Sequence, residues 1–266
     1  MEQYPIWNTV IPFVQPGLDT PDSFSFFPAS AETPAPCVVV LPGGGYHARA
    51  AHEGAPVAEF FRSNGFHAAV VNYRVAPYRF PAGLADVQRV IRILREKAEE
   101  WNIDPAGIFV CGFSAGGHLA ASTAFWESVY ERTDGIDDRS PAPDGLILCY
   151  PVISFSREWG HPGSGKRLLG EERYETEQDR FCLSDLISDS TPPTFLWHTA
   201  DDKSVPVENS LRFAGALAAH RVPFQLHVFP HGCHGLGLAP DTEDVRAWSG
   251  LAANWVRKVC AERTSS

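Results

Sequence analysis

The sequence predicts a single three-layer α/β domain over residues 1–266, with a mostly parallel sheet and helices on both faces. Apolar runs typical of buried strands alternate with stretches typical of amphipathic helices, and in such chains each helix connects two parallel strands. The clearest strand is Cys37–Leu41, a β-branched run that is closed by Pro-Gly-Gly-Gly. The clearest helix is Leu84–Ala98, where apolar residues recur every three or four positions. A chain of 266 residues can bury a sizeable core without cross-links.

The other elements follow the same alternation along the chain. Further strands are predicted at Ile6–Val14, Ser23–Phe27, Ala68–Tyr73, Ile108–Cys111, Gly145–Pro151, Thr194–Thr199 and Phe224–Phe229. Further helices are predicted at Pro56–Ser63, Val207–His220, Val245–Cys260 and directly after Ser114. The polar segment 154–190 breaks the alternation, and we expect a small helical insertion there. A lid near a functional site and a surface decoration are both open interpretations of this segment.

Composition and charge restrict the partners and the location of the chain. The formal net charge of −10 argues against nucleic acid and against an anionic membrane surface as partners. Six cysteines are scattered without a Cys-x-x-Cys pair, which favours reduced and mostly buried thiols. The N-terminus lacks the basic start and apolar run of a secretion signal, and no apolar run is long enough to span a membrane. We therefore expect a cytoplasmic protein, whose oligomeric state the sequence leaves open.

The stretch Gly112-Phe113-Ser114-Ala115-Gly116 carries the strongest chemical signal. It connects an apolar strand to a helix of small residues, which is the context in which G-x-S-x-G forms a nucleophile elbow. A serine on such a tight turn requires close approach of the strand and helix backbones, and Gly112 and Gly116 lack the Cβ atoms that would prevent it. The N–H of Ala115 begins the helix, where unpaired donors favour a developing oxyanion. Ser114 is therefore the candidate nucleophile.

A serine nucleophile needs a base and an acid that orients this base, and both follow later in the chain. Asp202 and Asp201 come just after the strand at 194–199, while His234 and His231 come just after the strand at 224–229. Both pairs are thus expected at the carboxyl edge of the sheet that also holds Ser114. We favour Asp202, which lies four residues before a proline, and His234, which precedes a flexible Gly-Leu-Gly loop. Asp201 and His231 are the alternatives, and His118 is expected to be structural.

The glycine run after the strand at 37–41 supplies the last candidate group. Tetrahedral intermediates need backbone donors aimed at one oxygen, and glycines let the main chain turn its N–H groups inward. Pro42-Gly43-Gly44-Gly45-Tyr46 matches the position of the glycine-rich oxyanion motif of esterases. A phosphate loop is disfavoured because the chain has neither Gly-Lys-Ser/Thr at the end of this run nor G-x-G-x-x-G. We predict an oxyanion hole from the N–H groups of Gly44, Gly45 and Ala115.

These motifs together resemble an α/β hydrolase of the esterase/lipase group. The chain is similar to bacterial acetylxylan esterase-like proteins, including bifunctional feruloyl and acetyl esterases. The matching stretches cover about 200 residues: Leu41–Tyr46, Asn72–Arg74, Gly112–Ala121, Thr191–Thr194, Ala200–Ser210 and His231–Leu238. The resemblance is specific for the fold and the catalytic groups, and less specific for the substrate.

The resemblance implies a serine esterase that needs no metal or cofactor. Its substrate would be a small ester such as an acetylated oligosaccharide, and the acyl group would be transferred to Ser114 before hydrolysis releases it. Tyr46 beside the glycine run and Trp159 in the insertion are candidate sugar contacts, although aromatic residues at such places also serve packing. Arg74 is a candidate contact for an acidic or hydroxyl-bearing substrate, or a support for the loop after it. An amidase, such as an arylformamidase, a small peptidase and a non-catalytic ligand-binding relative remain alternatives.

Overall fold

The fold is built on one mixed sheet, seen in a computed structural model that describes residues 1–8, 10–21 and 23–264. Within these ranges, eight strands form the sheet in the order β1-β2-β4-β3-β5-β6-β7-β8. The strands are β1 Glu2–Pro5, β2 Ser23–Phe27, β3 Ala35–Leu41, β4 His67–Val71, β5 Ile103–Phe113, β6 Gly145–Cys149, β7 Thr194–Thr199 and β8 Phe224–Phe229.

The strands from β3 to β8 are parallel, so their carboxyl ends meet at one edge of the sheet. The pairs β3–β4, β3–β5, β5–β6, β6–β7 and β7–β8 are parallel. The pairs β1–β2 and β2–β4 are antiparallel. Because β5 lies near the centre, the turn that follows it is flanked by the ends of β3 and β6. This topology brings the loops after β3, β5, β7 and β8 toward one region.

Helices cover both faces of the sheet, and the two faces have separate apolar cores. The helices are α1 Ala55–Ser63, α2 Ala82–Glu96, α3 Ala115–Ser122, α4 Pro162–Leu169, α5 Glu171–Glu177, α6 Glu208–Ala219 and α7 Ala247–Thr264. One core includes residues of α2, α3 and α6, and the other includes residues of α1 and α7. Alternate residues of β3 point to opposite cores, as the pleat of a strand requires. The predicted three-layer α/β fold is confirmed.

None of the helices in the described ranges is both long and apolar enough to cross a membrane. The longest, α7, carries charged side chains from Arg257 onward and packs its apolar residues against the sheet.

The predicted strand at Ile6–Val14 is wrong. Among its described residues none is in a strand, and Thr9 lies outside them; the first strand is instead β1, which ends at Pro5. Ile6 and Trp7 are both buried although they are consecutive, which a strand with one solvent-facing side does not allow. The indole N–H of Trp7 donates to Asp86 Oδ1 at 2.9 Å, so the chain leaves the sheet edge here to pack beside α2.

The segment 154–190 is a helical insertion, as the sequence predicts. It contains α4, α5 and two 3₁₀ turns at Gln178–Phe181 and Leu183–Leu186. Apolar residues from these pieces join the core that also includes α2 and α3. The N–H of Phe80 donates to the carbonyl of Leu168 at 2.8 Å, which fixes the end of α4 against the loop before α2. That this insertion moves as a lid stays a prediction.

Candidate active site

Ser114 lies on a strained turn between β5 and α3. Its backbone has φ +53° and ψ −120°, a conformation that residues with a side chain rarely adopt. A Cβ on Gly112 would lie 2.1 Å from the carbonyl oxygen of Gly116, and a Cβ on Gly116 would lie 2.3 Å from the carbonyl oxygen of Leu41. Only glycine fits at these two positions, which is the steric reason predicted for the motif.

Three predicted side chains, remote in sequence, form one hydrogen-bonded series. The hydroxyl of Ser114 lies 2.8 Å from His234 Nε2, and His234 Nδ1 lies 2.6 Å from Asp202 Oδ2. Asp202 follows β7 and His234 follows β8, so the parallel sheet places both at the edge where β5 delivers Ser114. With its proton on Nδ1, the imidazole donates to Asp202 and accepts from Ser114. This is the arrangement in which a histidine takes the proton of a serine.

Asp202 is buried and held as a carboxylate by its hydrogen bonds. Burial alone would raise its pKa, but donation from His198 and His234 and from the N–H of Val205 outweighs burial and lowers the pKa well below the usual range. The N–H groups of Ser204 and Val205 donate to its Oδ1 at 2.8 and 3.0 Å. Asp202 is therefore ionised at neutral pH and fixed beside the imidazole.

His198, a residue of β7 that the sequence analysis did not single out, supports the Asp202 loop. Its side chain is fully buried, and its Nε2 lies 2.9 Å from the carbonyl oxygen of Val205 and 3.4 Å from Asp202 Oδ2. Its Nδ1 lies 2.8 Å from Ser210 Oγ, so that hydroxyl can donate to the ring. The position of a histidine inside an apolar strand was the available signal for this role.

The two alternative residues, Asp201 and His231, contact each other and not Ser114. His231 Nδ1 lies 3.0 Å from Asp201 Oδ2, and the N–H of Gly232 donates to Asp201 Oδ1 at 2.8 Å. The side chain of His231 is 85% exposed. The structure thus brings together the favoured residue of each pair.

The glycine loop after β3 runs directly against the Ser114 turn. A Cβ on Gly43 would lie 3.0 Å from Ser114 Cβ, and Gly44 and Gly45 have φ values of +131° and +61°. Gly44 and Gly45 line the same cleft as Ser114. Ala115 is the first residue of α3, where an N–H has no acceptor within the helix. The predicted oxyanion donors therefore border Ser114 from two sides.

A buried carboxylate that the sequence analysis missed connects this loop to the His234 loop. Glu53 Oε2 accepts from the N–H of Gly43 at 2.6 Å, and Glu53 Oε1 accepts from the hydroxyl of Tyr150 at 2.6 Å. The N–H of Gly237 in turn donates to the Tyr150 hydroxyl at 2.9 Å. Burial and the nearby Glu53 raise the pKa of Tyr150 well above its usual value, so the hydroxyl keeps its proton. Tyr150 follows β6 at the site edge of the sheet, and that placement was the signal that could have found it.

The prediction that Arg74 contacts substrate is wrong. Its guanidinium and the Asp86 carboxylate are both fully buried, with Arg74 Nη2 2.8 Å from Asp86 Oδ1. Further donors of this guanidinium bond the carbonyl oxygens of Pro12 and Ala82. Arg74 therefore supports the loop after β4, which was the other role considered for it.

The predicted contact of Tyr46 with substrate is also wrong, whereas that of Trp159 stays a prediction. Tyr46 is buried, and its hydroxyl lies 2.9 Å from Nδ1 of His118 on α3. Burial lowers the pKa of His118 to about 4, so this histidine is a neutral part of the core, as expected. Trp159 is half-buried under the guanidinium of Arg212, 4.6 Å from its ring centre, and does not line the cleft at Ser114.

The cleft that contains Ser114 has a volume of about 360 Å³. Its lining residues come from the glycine loop, the segment 50–53 after it, α4 and the residue before it, and the loops after β5, β7 and β8: Gly44, Gly45, Ala50, His52, Glu53, Ser114, His161, Arg167, Ser204, His234 and Gly235. In the part of the chain that the structure describes, no three His, Cys, Asp or Glu side chains are grouped as ligands for one metal ion.

The strand order, the turn at Ser114 and the order of Ser, Asp and His along the chain define an α/β hydrolase. The BD-FAE family model matches residues 25–217. The chain belongs to the BD-FAE family, which confirms the resemblance predicted from its motifs.

Named relatives are consistent with this membership. An acetyl ester-xyloside bifunctional hydrolase from Caldicellulosiruptor lactoaceticus has a crystal structure with 45% identity and a TM-score of 0.89, covering 97% of this chain and 96% of that one. Endo-1,4-beta-xylanase B of Butyrivibrio fibrisolvens is 40% identical over 80% of this chain and 34% of its own length. An acetylxylan esterase of Xylanibacter ruminicola is 33% identical over 76% of this chain and 41% of its own length. The chain thus spans less than half the length of these two curated relatives.

Proposed function

We propose that this chain is a serine carboxylesterase that hydrolyses short-chain esters, with acetyl esters of sugars or xylo-oligosaccharides as its substrates. The observation that carries the proposal is the hydrogen-bonded series from Ser114 through His234 to Asp202 beside the glycine loop. The names of the relatives support acetyl esters as the substrate class. None of the relatives reported above is named as an amidase or a peptidase.

In the first step His234 Nε2 takes the proton of Ser114 Oγ as this oxygen attacks the ester carbonyl carbon. The carbonyl electron pair moves to the oxygen, and the N–H groups of Gly44, Gly45 and Ala115 stabilise the resulting oxyanion. Each donor of this kind typically lowers the barrier by about 3 kcal/mol. Asp202 remains a carboxylate and stabilises the imidazolium that forms.

In the second step the tetrahedral intermediate collapses, and the bond from carbon to the alcohol oxygen breaks. His234 gives its Nε2 proton to the departing alcohol, which leaves an acyl group on Ser114. A water molecule then attacks the acyl carbon while His234 takes one of its protons. Collapse of this second intermediate returns the proton to Ser114 Oγ and releases the carboxylic acid.

The test is hydrolysis of p-nitrophenyl acetate and acetate release from acetylated xylo-oligosaccharides. The wild-type chain should hydrolyse both, and Ser114→Ala should abolish both while its circular dichroism spectrum and melting temperature stay close to wild type. Turnover that survives in Ser114→Ala would refute the assignment of the nucleophile. Turnover of the aryl ester alone would limit the proposal to simple esters. A cytoplasmic location and a single domain over residues 1–266 stay predictions from the sequence.

A further inference from the structure

The charge on the wall of the Ser114 cleft suggests a more specific substrate class. The sequence left Arg74 as a candidate contact for an acidic or hydroxyl-bearing substrate or as a support for the loop after it, and the structure shows it buried against Asp86. A different arginine, Arg167 of α4, lines the cleft together with Ser114 and His234. It comes from the inserted segment 154–190, so the insertion supplies a charged group to the site.

The guanidinium of Arg167 lies against the glycine loop, and most of its N–H donors form no hydrogen bond there. The residue is exposed, and its Nη1 lies 3.4 Å from the carbonyl oxygen of Gly45, a long hydrogen bond. A Cβ on Gly45 would lie 2.9 Å from the same nitrogen, so the guanidinium lies directly over the loop. No acidic side chain in the described ranges forms an ion pair with Arg167. A guanidinium has five N–H donors, and those that remain can bind a planar anion in bidentate fashion.

The surroundings of Arg167 fit one negative charge. The acid that lines the cleft, Glu53, has both carboxylate oxygens engaged by Gly43 and Tyr150. The histidine nearest to Arg167 along this wall, His161, has its pKa lowered by burial and then by the positive charges of His234 and Arg167. It is neutral at pH 7 and adds no second charge. Arg79 donates to the backbone carbonyl oxygen of Arg167 but is not among the residues that line the cleft. The single guanidinium on the cleft wall is matched by a carboxylate, whereas the dianion of a phosphate monoester would be only partly neutralised.

The position of Arg167 favours the alcohol side of the ester. The departing alcohol receives its proton from His234 Nε2, so it must face the wall that contains His234. His161 and Arg167 line the same cleft as His234, and the ring of His161 and the guanidinium of Arg167 both lie within 4 Å of the Cβ position of Gly163. An anionic group on the alcohol can therefore reach the guanidinium while the ester carbonyl lies at Ser114.

We propose that Arg167 binds a carboxylate on the alcohol portion of the ester, so that acetyl esters of acidic alcohols, such as uronic-acid-containing oligosaccharides, are preferred over neutral ones. This inference rests on the proposed esterase function. It goes beyond that function by assigning a specificity residue and a charge to the substrate.

The test compares 4-acetoxybenzoate with its methyl ester, because the two share the acetyl group and the aryl ring and differ in the carboxylate. The measured quantity is the ratio of their kcat/KM values in wild type and in Arg167→Gln. We expect the ratio to fall about tenfold in the variant, mainly through KM for the acidic ester, since one charge-assisted hydrogen-bonded pair is lost. Any effect of the substitution on the Gly45 loop acts on both esters and cancels in the ratio. Added salt should also lower the wild-type ratio.

Lys166→Gln is the matched control, because it removes one positive charge from the same helix at a residue that pairs with Glu171 away from the cleft. It should leave the ratio at the wild-type value. An unchanged ratio in Arg167→Gln would overturn the proposal. A loss specific to p-nitrophenyl hemisuccinate, whose carboxylate is on the acyl side, would overturn the assignment to the alcohol.

Binding of 4-hydroxybenzoate, the acidic product, gives a readout that does not need turnover. Calorimetric titration should show weaker binding to Arg167→Gln than to wild type and to Lys166→Gln, and equal binding would overturn the proposal. Failure of wild type to hydrolyse either of the two esters would instead count against the esterase function, whatever the titration shows.

Discussion

Two aspartate–histidine pairs lie side by side on the loops after β7 and β8, and they differ in burial. Asp202 and His234 have side chains 1% and 19% exposed, and the imidazole reaches Ser114. Asp201 and His231 have side chains 49% and 85% exposed and end at the surface. The distance between the two partners is similar, at 2.6 Å in the inner pair and 3.0 Å in the outer pair.

The comparison shows that residue type and spacing do not by themselves make a reactive pair. The inner carboxylate accepts from two backbone N–H groups and lies beside His198, so its orientation is fixed. The outer pair is exposed to water, where such an ion pair contributes little and is screened by salt. Burial and directed donors therefore distinguish the two pairs.

Substitution of the two histidines, one at a time, should give the largest difference in kcat between the inner and the outer pair. His234→Gln removes the group that accepts the serine proton, and we expect kcat for p-nitrophenyl acetate to fall by about 10⁵-fold. His231→Gln should change kcat by less than about twofold, because its side chain is exposed and does not contact Ser114. Steady-state kinetics on both variants checks this, and a large loss in His231→Gln would show that the outer pair takes part in turnover.

Substitution of the two aspartates should show the same difference between the pairs, with a smaller loss of kcat. Asp202→Asn leaves a similar shape but no charge to hold the imidazole tautomer, and we expect a loss in kcat of about 10³- to 10⁴-fold. Asp201→Asn, the matched control in the outer pair, should retain nearly full activity. Equal losses of kcat in the two variants would contradict the different roles of the inner and outer pairs.

Burial of His118 should also make the stability of the folded protein depend on pH. The pKa of His118 is lowered to about 4 in the folded protein, from an ordinary value of 6.5, because the ring is buried. Between these values the unfolded chain binds the additional proton, so stability is lost as pH falls from about 6.5 to about 4, by up to about 3 kcal/mol.

The free energy of unfolding from denaturant titrations at pH 7, 6 and 5 measures this effect. His118→Gln should be less stable than wild type at pH 7, and the difference should narrow as the pH falls. His231→Gln, which alters an exposed ring, is the control whose difference from wild type should stay nearly constant. A constant difference for His118→Gln would mean that burial of this ring does not contribute to acid sensitivity.

The sequence was sufficient for the fold and for the central groups because each depends on local patterns. Apolar periodicity located most strands and helices, and parallel pairing then placed Ser114, Asp202 and His234 at one edge. The ends of elements were less predictable: β4 ends at Val71 rather than Tyr73, and shortly after it the N–H of Arg74 donates to Asp86. That bond joins residues that sequence patterns do not link.

The substrate contacts could not be predicted for the same reason. Arg74 and Tyr46 stand next to informative motifs, yet their side chains point into the core, toward partners on α2 and α3. Arg167 lies in a segment without clear periodicity, and only the packing of α4 brings it to the cleft. Glu53 could not be predicted either, since no pattern in the sequence around it indicates a buried glutamate.

The bridge from Gly43 through Glu53 and Tyr150 to Gly237 has a consequence for engineering. Replacing one of these loops with that of a relative would leave a buried carboxylate or phenol without its hydrogen-bond partner. Such an unsatisfied buried group costs several kcal/mol of stability. The two loops therefore depend on each other for stability, and chimeras that transplant both together with Glu53 and Tyr150 should be more stable than those that transplant one.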